Sequence, residues 1–375
     1  MLPVSIRLNP FKLDESISGK AIPWSPWGRW LEQRPSFTLD PLFHAGCYYV
    51  QDASAMYVGH IFRKALSKYG HKGMKVLDLC AAPGGKTTDI AASLRELYGD
   101  DFLLVSNEVM KDRVRVLCDN ITLWGDPNIL VCSLDPAVLG RLTGYFDIIV
   151  TDVPCSGEGM FRKDERAKKE FSEQTVQLCS SRQKRILADI WPSLKHKGIL
   201  IYSTCTYQKC ENDENLIWIA ETLGGEIIAP ENEFSQWGVE LTEVGNLLKA
   251  GTVQGEGQWV GALVKTAECP FSNSNINSIK PLKYGIKKGE YKGAKFIPDS
   301  DYVLSYIYNH EYPEIEVNRE QALEYLHHDA LKFPNAQKGF NVICYNKHPL
   351  GIVNNIGSRC NNLHPSTRRI IMNIK

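Results

Sequence analysis

The chain has 375 residues, 43% of them hydrophobic and 23% charged, with 43 basic and 43 acidic side chains. This profile excludes a disordered polymer, and the zero net charge excludes a global field that would draw in nucleic acid. No apolar run approaches the roughly 18 residues of a membrane span, and MLPVSIRLNPFKLD has none of the features of a secretory leader, so two or three domains in the cytoplasm are expected.

Residues 1–45 are rich in Pro, Trp and Arg and read as an N-terminal arm packed as an irregular layer on its neighbour; the aromatic residues around Arg29 and Arg34 leave base stacking open. From Lys75 the pattern changes. Apolar runs at 75–79, 102–106, 128–132, 146–150 and 198–203 read as buried strands, with helices over about 85–97, 110–123, 175–192 and 212–223 between them. Such alternation predicts an α/β, doubly wound parallel sheet, in which ligands bind beyond the carboxyl ends of the strands. GEIIA (225–229) and QWVGALVK (258–265) are expected to add edge strands, and this domain occupies 46–267. Residues 268–290 read as a linker, and 291–375 as a small α+β module around the helix NREQALEYLHH. From Lys280 to Lys375 there are 14 Lys/Arg against 9 Asp/Glu, a modest basic excess that fits either an RNA-touching module or a solvated surface.

The turn after the first strand, DLCAAPGGKTTDIAA (78–92), brings small residues and a helix N-terminus close to a ligand. A phosphate-binding P-loop fails on spacing because Cys80 stands where its first glycine belongs, and no GxGxxG is present. The loop suits a smaller, nucleoside-like ligand. Glu108 follows the second strand, where a carboxylate could accept both ribose hydroxyls, and Asp135 follows the third, where it could meet an adenine edge. Each alone reads as a solvated helix cap rather than a ligand; in register at the ends of consecutive strands they favour a nucleoside pocket.

The eleven cysteines are an odd, scattered set without a CxxC pair, so reduced thiols are expected and a zinc site is not. Most read as small core residues. Cys155 follows the fourth strand in DVPCSG and Cys205 follows the fifth in STCTY, over the same mouth of the sheet. That placement suits cytosine C5 chemistry. Carbon 5 is too poor a nucleophile to attack a sulfonium methyl group, but a thiolate added to carbon 6 makes the ring an enamine that can. A second ionisable group then helps the C5 proton leave and the cysteine depart. Asp152 and Lys86 could hold the edge of the base, and Lys86 favours a thiolate. The base must be presented unstacked or single-stranded.

LDLCAAPGGKTT, TDVPCSGEGMFRK and YSTCTYQKCENDEN resemble the motifs of the Sun/nucleolar-antigen family of RNA (cytosine-5-)-methyltransferases, and RPSFTLDPLFHAGCYYVQDASAM resembles the approach to the catalytic domain in its bacterial ribosomal RNA small-subunit methyltransferase F-like members. HPLGIVNNIGSRCNNLHPSTRRI resembles their PUA-like RNA-binding module. The resemblance implies a Rossmann-like methyltransferase sheet of seven strands, a PUA-like C-terminal domain, and S-adenosyl-L-methionine as cofactor. It implies a cytosine in RNA as substrate, with 16S ribosomal RNA favoured over transfer RNA, and a monomer that does not engage membrane. By position, Cys205 is similar to the family's nucleophile and Cys155 to the cysteine that releases product. Cys80, Ala81, Ala82, Pro83, Gly84, Gly85 and Lys86, with Glu108, Asp135 and Asp152, match the cofactor site. Enzymes acting on DNA use a ProCys nucleophile at the position of Cys155, so the additional Thr204-Cys205 favours RNA.

Family members usually carry a helical stretch before SIRLNPF, so a trimmed or short N-terminal region is expected, a remnant of an RNA-binding region that bears on affinity rather than chemistry. A competing expectation is an RNA-binding assembly factor without turnover. His327 and His328 read as surface residues; Arg162, Lys163, Arg166, Lys168 and Lys169, like Arg368 and Arg369, read either as phosphate contacts or as a solvated face.

Overall fold

The computed structural model describes residues 4–161, 168, 171–268 and 276–374. At the N-terminus, β1 (Val4–Leu8), β2 (Lys20–Ile22), β3 (Ser25–Leu31) and β4 (Tyr48–Val50) form an antiparallel sheet in the order β2-β3-β1-β4. The expected irregular layer is therefore a sheet. Pro26 sits where the β2–β3 register shifts, so its missing N–H costs no ladder bond. The tryptophans are core residues: Trp24 and Trp30 bury under one face, Trp27 with Ile6 and Leu8 under the other.

Arg7 ties this sheet to the next domain. It is fully buried and donates to Gln51 Oε1 (2.9 Å), Gly85 O (3.0 Å) and Thr88 Oγ1 (2.5 Å), with Asp89 3.9 Å away. Removing one partner from a buried charged network typically costs about 3–5 kcal/mol, so Arg7 is a structural clamp rather than a free RNA contact.

The central sheet has ten strands. Five are parallel: β5 (Met74–Asp78), β6 (Phe102–Asn107), β7 (Ile129–Cys132), β8 (Phe146–Asp152) and β9 (Leu194–Thr204). Around them lie β10 (Gly225–Ile228), β11 (Val239–Leu241), β12 (Asn246–Lys249), β13 (Gly257–Lys265) and β14 (Lys283–Tyr284). The order is β11-β12-β13-β9-β8-β5-β6-β7-β14, with β10 beside β13. The seven expected strands are thus present, extended by three short ones. β13 is not an edge strand: it pairs with β9, β12 and β10, as its almost uninterrupted burial requires.

Helices α1 (Met56–Tyr69), α2 (Gly85–Tyr98), α3 (Lys111–Trp124), α4 (Glu173–Ile190) and α5 (Asp213–Ile219) pack on the two faces of the sheet, over two separate apolar cores. Because β6 and β8 flank β5 on opposite sides, the loops after β5 and β8 diverge and leave a crevice between them.

The stretch read as a linker adds β14 to the sheet edge and then β15 (Gly289–Lys292) and β16 (Lys295–Pro298) as a hairpin. The C-terminal module pairs β17 (Glu314–Glu316), β18 (Gly339–Tyr345), β19 (His348–Asn355) and β20 (Cys360–Asn362) around α6 (Arg319–His327). It shares a core with the N-terminal sheet, where Ile6, Leu42 and Trp124 meet Leu323, Leu326 and Val353. No helix among the described residues is long and apolar enough to cross a membrane.

Candidate active site

The loop after β5 is shaped by its neighbours. Gly84 has φ +111°, a region that side chains rarely adopt, and a Cβ on Gly85 would come within 3.2 Å of the Tyr49 ring. Arg113 donates to Ala82 O (2.6 Å) and Asn120 to Pro83 O (2.8 Å), so α3 holds the outer wall of the loop. Asn107 donates to Leu79 O (3.3 Å), fixing the start of the loop. Ala81 and Ala82 are buried in the first core, and the Cys80 thiol receives a contact from Thr151 Oγ1 at 3.7 Å. Burial pushes Cys80 up to about 12, which suits a packing thiol and not a nucleophile.

Two carboxylates in this crevice have an unspent acceptor. Glu108, 2% exposed, accepts from Met110 N through Oε1 (2.9 Å), while Oε2 lies 3.4 Å from Arg113 Nη1 and has no hydrogen-bond donor among the described residues. Asp78 accepts from Thr87 Oγ1 (2.6 Å) through Oδ2, and its buried Oδ1 also has none. Buried acceptors left unmade are costly, so the pair calls for a ligand rich in hydroxyl or ammonium donors, which S-adenosylmethionine is. Asp78 was not singled out in the sequence, although it closes the first strand, where an acid facing a ligand would stand.

Burial raises the Asp78 carboxyl from 3.8 to about 7, against the hydrogen bond from Thr87. A raised folded-state value means that its contribution to stability is whole below pH 3.8 and is lost as pH rises through about 7. Asp78→Asn should therefore flatten the fall in unfolding free energy of the cofactor-free protein between pH 5 and pH 8, a fall of about 2–3 kcal/mol for one such group. Denaturant titrations at the two pH values check this, and an unchanged slope in the variant would refute it.

Cys155 and Cys205 stand at the ends of β8 and β9 with their sulfurs 3.2 Å apart, each partly exposed. The hydrogen bond to Cys205, aided by burial, raises the Cys155 thiol well above its ordinary value, so Cys155 is the sulfur that keeps the proton. Lys86 Nζ donates to Asp152 Oδ2 (2.7 Å), and Asp152 Oδ1 accepts from Ser203 Oγ and Gln258 Nε2, both at 2.9 Å. Burial opposes the charge on Lys86, but Asp152, Asp78 and Cys205 outweigh it, and its ammonium stays above the ordinary lysine value. The crevice thus holds a fixed cation beside two thiols.

A partly buried hydrogen-bonded layer joins the two loops that carry the thiols. Glu158 accepts from Thr206 Oγ1 (2.7 Å), Tyr207 N (2.7 Å) and Gln208 Nε2 (3.0 Å), while Gly159 N donates to Cys205 O (2.8 Å). Glu211 accepts from Ser156 N (3.0 Å), from the Ser156 hydroxyl and from Gln183 Nε2 (2.8 Å). Each glutamate stitches the loop after β8 to the loop after β9. Neither was identified from the sequence, and neither was Gln258, which arrives from β13.

Cys205, Cys155, Asp152, Lys86, Glu108 and the loop Cys80–Lys86 therefore gather around one crevice. Asp135 stands apart in character: it is exposed, and its side chain caps the short helix Pro136–Gly140 by accepting from Ala137 N (2.9 Å). Arg162, Lys163, Arg166 and Lys169 lie outside the described residues, and Lys168 is exposed. Arg368 is ion-paired with Asp301. His328 is half-buried with its ring 5.6 Å from that of His364, and His327 pairs with Asp329 at 2.8 Å, so neither is a plain surface histidine.

Residues 68–226 match the family described as 16S rRNA methyltransferase RsmB/F, 312–370 the methyltransferase RsmF PUA domain, and 1–53 the N-terminal domain of 16S rRNA methyltransferase RsmF. The ribosomal RNA small subunit methyltransferase F of Cronobacter sakazakii is 35% identical over 282 residues, covering 70% of this chain and 57% of the relative. The Escherichia coli O157:H7 protein of the same name is 36% identical over 207 residues, covering 54% and 41%. The chain spans about half the length of these curated relatives. Among solved structures, a methyltransferase homolog from Pyrococcus horikoshii aligns at a TM-score of 0.57 with 27% identity, covering 71% of this chain and 87% of that one. NSun6 from Pyrococcus horikoshii with SFG aligns at 0.52 with 23% identity, covering 63% and 57%, and supports the fold alone.

Proposed function

We propose that this chain, whose catalytic domain is of the 16S rRNA methyltransferase RsmB/F kind, methylates carbon 5 of a cytosine in RNA, with 16S ribosomal RNA in the cytoplasm as its substrate. The observation that carries the reading is the pair of sulfurs 3.2 Å apart over the crevice, beside a cradle with unspent carboxylate acceptors.

The residues that would hold S-adenosylmethionine are the loop Cys80–Lys86, Asp78 and Glu108, with Asp135 at the outer rim. When bound, the cofactor supplies an electrophilic methyl group. Cys205, as thiolate, bonds to carbon 6 of the flipped base and makes carbon 5 nucleophilic. Lys86 favours that thiolate, and Asp152, locked by Ser203, Gln258 and Lys86, faces the edge of the base. Once carbon 5 carries the methyl group, its proton must leave and the bond from carbon 6 to sulfur must break. Cys155, freed of its hydrogen bond to Cys205 and having given its own proton to solvent, takes up that proton as thiolate, and the electrons of the carbon 5–hydrogen bond expel the Cys205 thiolate from carbon 6.

Radiolabelled cofactor with in vitro transcribed 16S RNA, followed by nucleoside analysis, tests the whole reading. Label in 5-methylcytidine is expected; label in another nucleoside, or none with any RNA, would overturn it. Bisulfite mapping of RNA from a deletion strain separates ribosomal from transfer RNA. Calorimetry that detects no binding of the cofactor would instead favour the assembly-factor reading.

Glu108→Gln halves the acceptor capacity offered to the ribose. Hydrogen bonds to charged groups contribute about 1.5–3 kcal/mol, so roughly ten- to a hundredfold weaker cofactor binding is expected by calorimetry. Turnover at saturating cofactor should change only a few-fold, because Glu108 touches neither thiol; an unchanged affinity would remove Glu108 from the site.

A further inference from the structure

The basic excess of the C-terminal region is not spread over it. Residues 280–296, KPLKYGIKKGEYKGAKF, hold six lysines against the single acid Glu290, whereas 297–375 hold eight basic and eight acidic residues. The segment lies between the matched catalytic and PUA domains, at 68–226 and 312–370, and belongs to neither.

The fold turns this stretch into a strip. Leu282 N donates to Val131 O (2.8 Å), and β14 runs antiparallel to β7 with Lys283 opposite Val131. Lys280 therefore lies toward the carboxyl end of β7, the side on which the crevice opens, and the chain then descends along the outer edge of the sheet into the β15–β16 hairpin. Lys280, Lys287, Lys288, Lys292 and Lys295 are all exposed. Among the described residues, Lys292 alone of the six has an acidic ion-pair partner, Glu290 at 3.2 Å.

Two features point to a polyanion with stackable faces. Lys292 and Lys295 are direct partners across the hairpin, and like charges so opposed cost stability that a bound anion recovers. Between the lysines stand Tyr284, 59% exposed, and Tyr291, 74% exposed and braced edge-on by Phe296 with ring centroids 5.2 Å apart. Rings alternating with cations match a nucleic-acid strand, whose phosphates pair with lysine and whose bases stack on tyrosine. One exposed leucine, Leu282, and two hydroxylated rings offer little apolar area for insertion into a bilayer.

We propose that residues 280–296 form an RNA-docking strip that holds the substrate along the outer edge of the sheet while its target base enters the crevice. This rests on the RNA-methyltransferase reading above. The strip acts on affinity and does not touch the chemistry.

The test replaces Lys280, Lys287, Lys292 and Lys295 together with glutamine, which keeps the stems, and measures RNA binding by fluorescence anisotropy across a salt series on the full chain. Each lysine that neutralises a single-strand phosphate adds about 0.7 to the salt slope, so the slope should shrink by up to about 3 and low-salt affinity should fall on the order of ten- to a hundredfold. The turnover number at saturating RNA should be unchanged. Tyr291→Ser should weaken binding about tenfold with no change in slope. If the wild type binds and methylates RNA and the quadruple variant matches it, the strip is overturned and the methyltransferase reading stands. If the wild type binds no RNA, both fall. Loss of binding to phosphatidylglycerol vesicles with RNA binding intact would overturn the strip in favour of a membrane surface.

Discussion

Cys205→Ala is expected to reduce methyl transfer to below about one thousandth of wild type, because the variant loses the bond that activates carbon 5 and not merely a binding contact. The side chain is partly exposed at the end of β9, and its hydrogen-bond partner is Cys155, so its removal leaves the core and the Glu158 and Glu211 braces in place. Cofactor affinity should therefore stay within a few-fold of wild type, since Glu108 and Asp78 are untouched. That combination separates a lost nucleophile from a collapsed site. Single-turnover assays with labelled cofactor, run beside calorimetry, read both quantities. A Cys205→Ala enzyme of normal rate would show that the sulfur is not the attacking atom.

What the sequence disclosed about this site, it disclosed through strand ends. Five apolar runs gave five parallel strands, and the polar residues that follow them in sequence, Lys86, Glu108, Asp152, Cys155 and Cys205, meet at one crevice because every parallel strand delivers its carboxyl end to the same side. What stayed hidden depends on contacts between distant parts of the chain. Gln258 reaches Asp152 across 106 positions and Glu158 reaches Thr206 across 48, and no local pattern marks either. Asp135 carries a task that its place after a strand does not reveal: one oxygen of its side chain caps a helix, as Asp before Pro commonly does, beside its proposed place at the rim of the cofactor site. The N-terminal sheet is masked in the sequence by a Pro-, Trp- and Arg-rich composition that reads as an irregular layer, although Pro26 sits at a register shift and the indoles are core. The apolar run of β13 discloses that both its faces are covered, but its in-sheet partners β9 and β10 come from distant parts of the chain and no local pattern marks them.

Cys155→Ala should have the opposite phenotype to Cys205→Ala, an enzyme that starts the reaction and cannot finish it. In the free enzyme Cys155 holds its proton, chiefly through the hydrogen bond to Cys205. Once Cys205 is bonded to carbon 6 that hydrogen bond is gone, Cys155 gives up its proton to solvent, and as thiolate beside the attacking sulfur it takes the proton from carbon 5. Without it, the bond from Cys205 to carbon 6 forms and carbon 5 is methylated. With no group positioned to take up the carbon 5 proton, elimination stalls. The expected result is a protein–RNA adduct that survives denaturing electrophoresis, carries label from the cofactor, and disappears on ribonuclease treatment. Turnover should fall by about 10²–10⁴, the usual contribution of a positioned acid or base. The double variant Cys155→Ala/Cys205→Ala should form no adduct, which assigns the covalent bond to Cys205 rather than to any other of the chain's eleven cysteines. Should the single variant instead turn over at the wild-type rate with no adduct, Cys155 would be only a neighbour of the nucleophile, and the proton would have to leave by another route, with Asp152 a candidate through its place at the end of the same strand.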